Sequence, residues 1–175
     1  MMSAKNEFNN YAFIDGENLY KSIRSQGWKL DYYKFRIYLK EKYSVSRAFL
    51  FIGYIKEKKV LYKSLKKSGF ELVYKPTIKK GDGETKGNVD AELVLKTMIE
   101  LNNFNKAIII TGDGDFCCLV KHLIEIKKLK ILMIPDRINY SALFREFRKD
   151  IIYMNELKEK LRYKKRWGVS KGQNL

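Results

Sequence analysis

Short apolar stretches rich in β-branched and aromatic side chains recur at Tyr11 to Ile14, Ala48 to Ile55, Phe70 to Tyr74, Ala107 to Thr111 and Ile131 to Ile134. Each is nearly continuous in hydrophobicity rather than alternating, the mark of strands buried on both faces. Between them the spacing becomes helical. Phe116, Leu119, Val120, Leu123 and Ile124 form an unbroken i, i+3, i+4, i+7, i+8 stripe, and Ala91, Val94, Leu95 and Met98 form another. Each stripe predicts a helix with one buried face. Asp31 is placed to cap a helix through about Tyr43, and Ser68-Gly69 to end one beginning near Glu57. Ser141 opens a short helix through Phe147, and Asn155 opens the last. Alternating strands and helices predict a mainly parallel sheet covered on both faces. Right-handed crossovers then restrict the topology to a doubly wound, Rossmann-like three-layer α/β/α sandwich.

In that architecture the strand carboxyl ends build the site, and two acidic segments fall there. Ile14-Asp15-Gly16 follows the first strand, and Thr111-Gly112-Asp113-Gly114-Asp115 follows the fourth. If the strand order reverses between those two, both turns meet at the topological switch point. A plain N-cap role suits Asp115, which leaves Asp113 to point into the crevice. Asp90 opens the helix expected to bury Leu93, Val94 and Met98. Four carboxylates at one rim repel each other unless a cation holds them. Their oxygens suit Mg²⁺ or Mn²⁺, which keep several waters and share substrate phosphates. Such a site hydrolyses a phosphodiester without a side-chain nucleophile, in its fullest version with two ions about 4 Å apart.

Other chemistries fail on residue type or spacing. His122 is the only histidine, so the two-histidine acid–base pair of metal-free ribonucleases cannot be assembled, and His122 reads as a boundary residue. Gly81-Asp82-Gly83-Glu84 lacks the ligand spacing of an EF-hand, and neither a P-loop nor a dinucleotide fingerprint is present.

Composition narrows the partner. The chain has 175 residues and is 45% hydrophobic, enough for one well-filled core and too short for two. No apolar run approaches the roughly 18 residues that span a bilayer, and Met1 to Asn10 is polar, so a cytoplasmic protein with no membrane partner is expected. Cys117 and Cys118 are adjacent, which excludes a disulfide framework and suits small core or boundary residues. Thirty-six Lys and Arg against twenty Asp and Glu leave a net charge of +16, far beyond what solubility requires, and this predicts a polyanion. Nucleic acid is the leading candidate.

Much of that charge lies outside the periodic segments. In Pro76 to Gly87, Lys79, Lys80 and Lys86 alternate with glycines and no hydrophobic period survives, which predicts a mobile basic loop. A second basic run from Lys158 to the end predicts a frayed tail, giving a domain over 1–157 and a tail over 158–175. Aromatics are plentiful, but Tyr32, Tyr33, Phe35 and Tyr38 sit at helical spacing and Tyr74 ends a strand, so packing is the default for each. A crevice between loops admits one nucleic-acid strand more easily than a duplex. A homo-oligomer is compatible with everything above.

Three ordered segments resemble the NYN domains of the PIN-like nuclease superfamily, in particular the bacterial LabA-like (DUF88) group. They are Phe13-Ile14-Asp15-Gly16-Glu17-Asn18-Leu19, Lys86-Gly87-Asn88-Val89-Asp90, and Thr111-Gly112-Asp113-Gly114-Asp115-Phe116. Ser141 and Leu143 also look like the small-residue turn and helix after the family's fifth strand. The resemblance covers roughly Tyr11 to Leu157. It implies a helix-flanked sheet, Mg²⁺ or Mn²⁺ held directly or through water by Asp15, Asp90, Asp113 and Asp115, and cleavage or binding of RNA, with DNA not excluded. It further implies that Asn18 and Thr111 steady the site or touch phosphate. Two departures stand out. Asn88 is inserted between the Lys-Gly and Val-Asp pairs, and Lys96 stands where many members carry a second acid, weakening metal binding or reaching substrate phosphate.

The leading expectation is therefore a metal-dependent endoribonuclease whose basic loop and tail hold the backbone. The second is an RNA-binding or protein-interaction module with a vestigial acidic cluster. A third, an aspartyl phosphatase, needs a phosphorylated Asp113 or Asp15 and a dedicated Lys and Thr that the chain does not identify.

Overall fold

In a computed structural model of the chain, the described residues are 9–75, 78–79, 85–86 and 89–165, with side chains over 9–75 and 91–165. Six strands form the central sheet: β1 (Asn10–Asp15), β2 (Val45–Gly53), β3 (Glu71–Lys75), β6 (Ala107–Ile110), β7 (Leu129–Ile134) and β8 (Ile151–Tyr153). Their order is β3-β2-β1-β6-β7-β8, and every neighbouring pair is parallel. The order reverses between β1 and β6, so the expected switch point is there, with Ile14 beside Ile110 in the ladder. The protein is a three-layer α/β/α sandwich, as its pattern of strands and helices predicts.

Alternation along each central strand feeds two cores. Ala12, Ile14, Ala48, Leu50, Ile108 and Ile110 face one side, beneath α1 (Gly16–Ser25), α2 (Tyr32–Tyr43), α3 (Lys59–Lys67) and α6 (Lys158–Leu161). Tyr11, Phe13, Phe49, Phe51, Ala107 and Ile109 face the other, beneath α4 (Val89–Ile99), α5 (Cys117–Glu125) and a 3-10 segment over Ala142–Asp150. Asp31 caps α2 by accepting from the Lys34 N–H at 3.1 Å, and Gly69 ends α3 at φ 92°, both as the sequence predicts. His122 is a half-buried boundary residue on α5.

The structure corrects several expectations. The apolar stripe placed on α4 is not its buried face, because Leu95 and Met98 are exposed and Ala91 is exposed as well. Leu93 is buried as expected, and Thr97 and Glu100 turn inward with it. The polar pair is satisfied there: the Thr97 hydroxyl donates to the Leu93 carbonyl at 2.8 Å, and Glu100 accepts from Lys96 at 2.7 Å and Asn103 at 2.8 Å. Within Pro76 to Gly87, β4 (Ile78–Lys79) and β5 (Thr85–Lys86) pair antiparallel, where no regular structure was expected. Lys80 and the rest of that stretch lie outside the described residues.

Residues 158–163 are packed rather than frayed. Leu161 is fully buried, a contribution of roughly 1.5–3 kcal/mol for a leucine, and the Tyr163 N–H donates to the Lys29 carbonyl at 2.8 Å. Asn155 does not cap the final helix; its side chain accepts from the Arg137 N–H at 2.9 Å, within a 3-10 turn over Met154–Leu157. Helix α1 and strand β8 were not anticipated, the first because its turn reads as a motif and the second because it has only three half-buried residues.

Candidate active site

The first acidic turn is built by the passage from β1 into α1. Asp15 ends the strand and caps the helix, one carboxylate oxygen accepting from the Asn18 N–H at 3.1 Å. It is buried, at 5% exposure. Gly16 follows because nothing larger fits: a Cβ there would lie 2.6 Å from Ile52 Cγ2 and 2.7 Å from the Phe51 carbonyl oxygen. Glu17 next to it is exposed and accepts from Lys21 at 2.7 Å, with Lys75 at the end of β3 reaching it at 3.6 Å. The Lys21 hydrogen bond holds the Glu17 carboxyl below its ordinary range against partial burial, and the charges of Lys21 and Lys75 add to the effect.

The second turn leads from β6 to α5 through a 3-10 turn over Gly114–Phe116. Asp113, rather than the expected Asp115, is its N-cap, accepting from the Asp115 N–H at 3.1 Å. The cap falls on Asp113 because its backbone is still extended, at φ −85° and ψ 124°, whereas Asp115 is already inside the turn. Among the described residues the second Asp113 oxygen has no hydrogen-bond donor, and the Asp115 side chain is exposed.

Two bonds tie the turns together across the switch point. The Thr111 hydroxyl donates to Asp15 Oδ2 at 3.2 Å and accepts from the Asp113 N–H at 3.1 Å, while Asn18 Oδ1 accepts from the Gly112 N–H at 2.8 Å. Asp15, Asn18, Thr111 and Asp113 are thus one connected unit drawn from two strands. Beside it lies a cleft of about 590 Å³, lined by Asp113 and Asp115 on one side and by the loop after β7, including Tyr140 and Ser141, on the other. Ser141 closes the cleft: its N–H donates to the Gly112 carbonyl at 2.9 Å and its hydroxyl accepts from the Leu143 N–H at 3.3 Å, opening the 3-10 segment. Gly114 is required opposite it, since a Cβ would collide with the Ser141 hydroxyl and lie 2.9 Å from its Cβ.

Sequence reasoning missed the residue that shapes the far wall. Asp136 is buried and accepts from the Ile138 N–H at 2.9 Å and from Asn139 Nδ2 at 3.0 Å, folding the loop that carries Tyr140 and Ser141. Gln26 braces the loop's base, donating to the Pro135 carbonyl at 2.9 Å and accepting from Asn155 at 3.0 Å. The signal was available as Ile134-Pro135-Asp136, an acid just past a strand end.

Of the expected site residues outside this unit and its cleft, only Lys96 has a described side chain. The backbone of Asp90 occupies the second position of α4, and its side chain lies outside the described residues, as do those of Lys79, Lys80 and Lys86. Lys96 is two turns along α4, bonded to Glu100, with its ammonium 5.0 Å from the centre of the mid-strand Phe49 ring. The structure does not bring it to the cleft.

The donor set fits a hard divalent cation in kind, being carboxylate and hydroxyl oxygen throughout. Among the described residues no three His, Cys, Asp or Glu side chains converge closely enough to enclose an ion by themselves. Open coordination of that sort suits an ion that keeps its waters and completes its shell on substrate phosphate.

The comparisons agree with this architecture. The solved structure of a protein of unknown function from Vibrio parahaemolyticus RIMD 2210633 shares the fold, with a TM-score of 0.74 at 20% identity over 93% of this chain and 100% of that one. No curated protein matches the chain. The family model that matches is that of the NYN domain, over residues 11–155. Among the described residues no helix is long and apolar enough to cross a membrane.

Proposed function

The chain belongs to the NYN domain family of the PIN-like nuclease superfamily, and from that premise we propose that it is a divalent-metal-dependent ribonuclease acting on single-stranded RNA. Within the family, its three ordered segments favour the LabA-like (DUF88) group. Nucleases of this superfamily generally depend on a divalent metal. Bound here, Mg²⁺ or Mn²⁺ would supply charge to polarise the phosphodiester and to shield the leaving oxygen.

The observation that carries the reading is the connected unit across the switch point. Asp15 is held from two sides by the Asn18 N–H and the Thr111 hydroxyl, and that same hydroxyl fixes the backbone of Asp113 at the cleft. Asp113 and Asp115 present carboxylates to the cleft, and Asp90 is assigned as the fourth acid from the opening of α4. Asn18 and Thr111 act as positioning residues. Ser141 bounds the cleft opposite the acids and is assigned a contact with the substrate backbone. Lys79, Lys80 and Lys86 are assigned to the same backbone, as sequence-independent charge.

A non-catalytic RNA-binding or protein-interaction module is favoured by one observation. Lys96, at a position where the family resemblance implies an acid, is engaged with Glu100 at 2.7 Å. The deciding experiment is cleavage of end-labelled single-stranded RNA and DNA in Mn²⁺, Mg²⁺ or EDTA, alongside Asp113→Asn. Cutting by the wild type with metal only, lost in the variant, is the expected result. Equal RNA binding by both proteins with cutting by neither would leave the binding module.

A further inference from the structure

A second feature of the same rim is absent from the acidic machinery. Where β2 and β3 end, Tyr54, Tyr62 and Tyr74 pack together, Tyr74 in T-shaped contact with the other two and Tyr54 tilted by 31° from Tyr62, with ring centres 5.4 to 5.8 Å apart. The cluster is rigid, because the Tyr62 hydroxyl donates to the Gly53 carbonyl at 3.1 Å and accepts from the Ile55 N–H at 2.8 Å. Tyr62 is buried, yet Tyr54 is 41% exposed, so one ring of the cluster is partly open to solvent. Burial and the neighbouring Tyr54 raise the Tyr74 pKa, so that phenol is neutral at physiological pH.

Beside the rings runs a groove of about 670 Å³ walled by Lys59, Lys63, Lys66 and Lys67 of α3. All four lysines are exposed, and among the described residues none is in an ion pair. Lys59 and Lys63, and Lys63 and Lys67, are like charges four residues apart, an arrangement that weakens a helix unless an anion is near. Lys66 also lies 5.9 Å from the centre of the Tyr74 ring.

We propose that this groove is a single-strand subsite in which an unpaired nucleobase stacks on Tyr54 while the α3 lysines hold the adjoining phosphates. Stacking suits any base because every base has a π face, and the lysines supply the sequence-independent charge that such sites need. The groove opens at the same carboxyl edge as Asp15. With strands about 4.8 Å apart, it begins roughly 10 Å to the side of Asp15, two strands over. Lys75, paired with Glu17, stands between them. One extended strand can therefore lie in the groove and cross the acidic cleft. The use of the groove rests on the nuclease reading, but its occupancy does not.

The test measures binding in EDTA, so that nothing is cut, by fluorescence anisotropy of a short labelled oligouridine and of its oligothymidine counterpart. Tyr54→Ala is expected to weaken binding about tenfold, and Tyr54→Phe, which keeps the ring, to restore it. Neutralising Lys63 and Lys66 with glutamine should flatten the salt dependence by roughly 0.7 in log–log slope per lysine. Tyr54→Trp should show indole emission quenched by either oligonucleotide beyond the quenching of Trp28 and Trp167 in the wild type, a readout that needs no loss of affinity. Equal losses for the two sugars support stacking alone; a loss confined to oligouridine supports it and assigns RNA as the occupant. Unchanged affinity in Tyr54→Ala without quenching in Tyr54→Trp overturns the proposal, as does equal competition by a fully paired duplex. A wild type that cuts RNA while the groove variants bind normally removes the subsite and leaves the nuclease. Tyr54-dependent binding by a wild type that never cuts does the reverse.

Discussion

The two acidic turns use the same device, an aspartate capping a helix beside a glycine with no room for a Cβ, yet they are opposites in surroundings. Asp15-Gly16 is sealed: the carboxylate is buried and the glycine is pressed against the backbone of Phe51 and the side chain of Ile52. Asp113-Gly114-Asp115 is open: its acids face a cleft of about 590 Å³, and its glycine is pressed by side chains alone, Ser141 above all and Leu143 at 3.2 Å, from the opposite wall of that cleft. A motif at a strand's carboxyl end is therefore not equally a site and a scaffold. Burial separates the two turns, the sealed one fixed inside the fold and the open one facing the cleft, where the proposed function puts substrate.

The largest effect should come from the open turn. Asp113→Asn is expected to lower RNA cleavage by at least about a hundredfold, since even outer partners of metal ligands typically cost 10–100-fold. Its melting temperature should stay at the wild-type value, because the asparagine oxygen can still accept from the Asp115 N–H. Asp15→Asn should reduce both activity and stability, the latter by roughly 1–3 kcal/mol, as an amide placed among two donors leaves a buried group unsatisfied. A melting curve for Asp15→Asn that overlays the wild type would erase the distinction between the turns.

The glycines sharpen it at a smaller scale. Gly16→Ala must displace core and backbone, so urea denaturation should show a loss of about 1–3 kcal/mol. Gly114→Ala should mainly lower cleavage, because the atoms it meets are side-chain atoms at the cleft, the closest of them on Ser141 and one on Leu143. Ser141→Gly removes the closest. The double variant Gly114→Ala/Ser141→Gly is expected to fold as well as the wild type, and a cycle of the four proteins would show coupling between the two sites. Additive losses would mean that the crowding at Gly114 is relieved elsewhere.

Much of this arrangement was legible in the chain. Continuous apolar runs report burial on both faces, so five of the six sheet strands and the switch point follow from them, and the acidic turns follow from the strand ends. The stripe on α4 misled for a physical reason: periodicity counts apolar residues, whereas α4 turns Thr97 and Glu100 inward because hydrogen bonds satisfy both. Asp136 escaped because one acid after a proline carries no period and no repeat, and its only signal is its place just past a strand end. The groove at Tyr54 was invisible in another way. Its three tyrosines come from separate segments, and each alone reads as packing.

Glu100 provides the smallest and most selective contrast, a buried acid held by two cations as well as by a neutral donor. The Lys96 hydrogen bond, then that of Asn103, and the charges of Lys96 and Arg47 lower its pKa despite burial. A folded-state value below the unfolded one, which is roughly 4.3, makes its contribution complete above that pH and lost as pH falls through the folded value. Lys96 is 31% and Arg47 38% exposed, so solvent screens both pairs and the contribution should be only about 1 kcal/mol. Thermal melts of wild type and Glu100→Gln across acid pH are expected to show a gap at neutrality that closes as the glutamate protonates. A gap that persisted unchanged in acid would mean that Glu100 stabilises α4 by shape and hydrogen bonding alone, and that its cationic neighbours, Lys96 included, are free to serve something else.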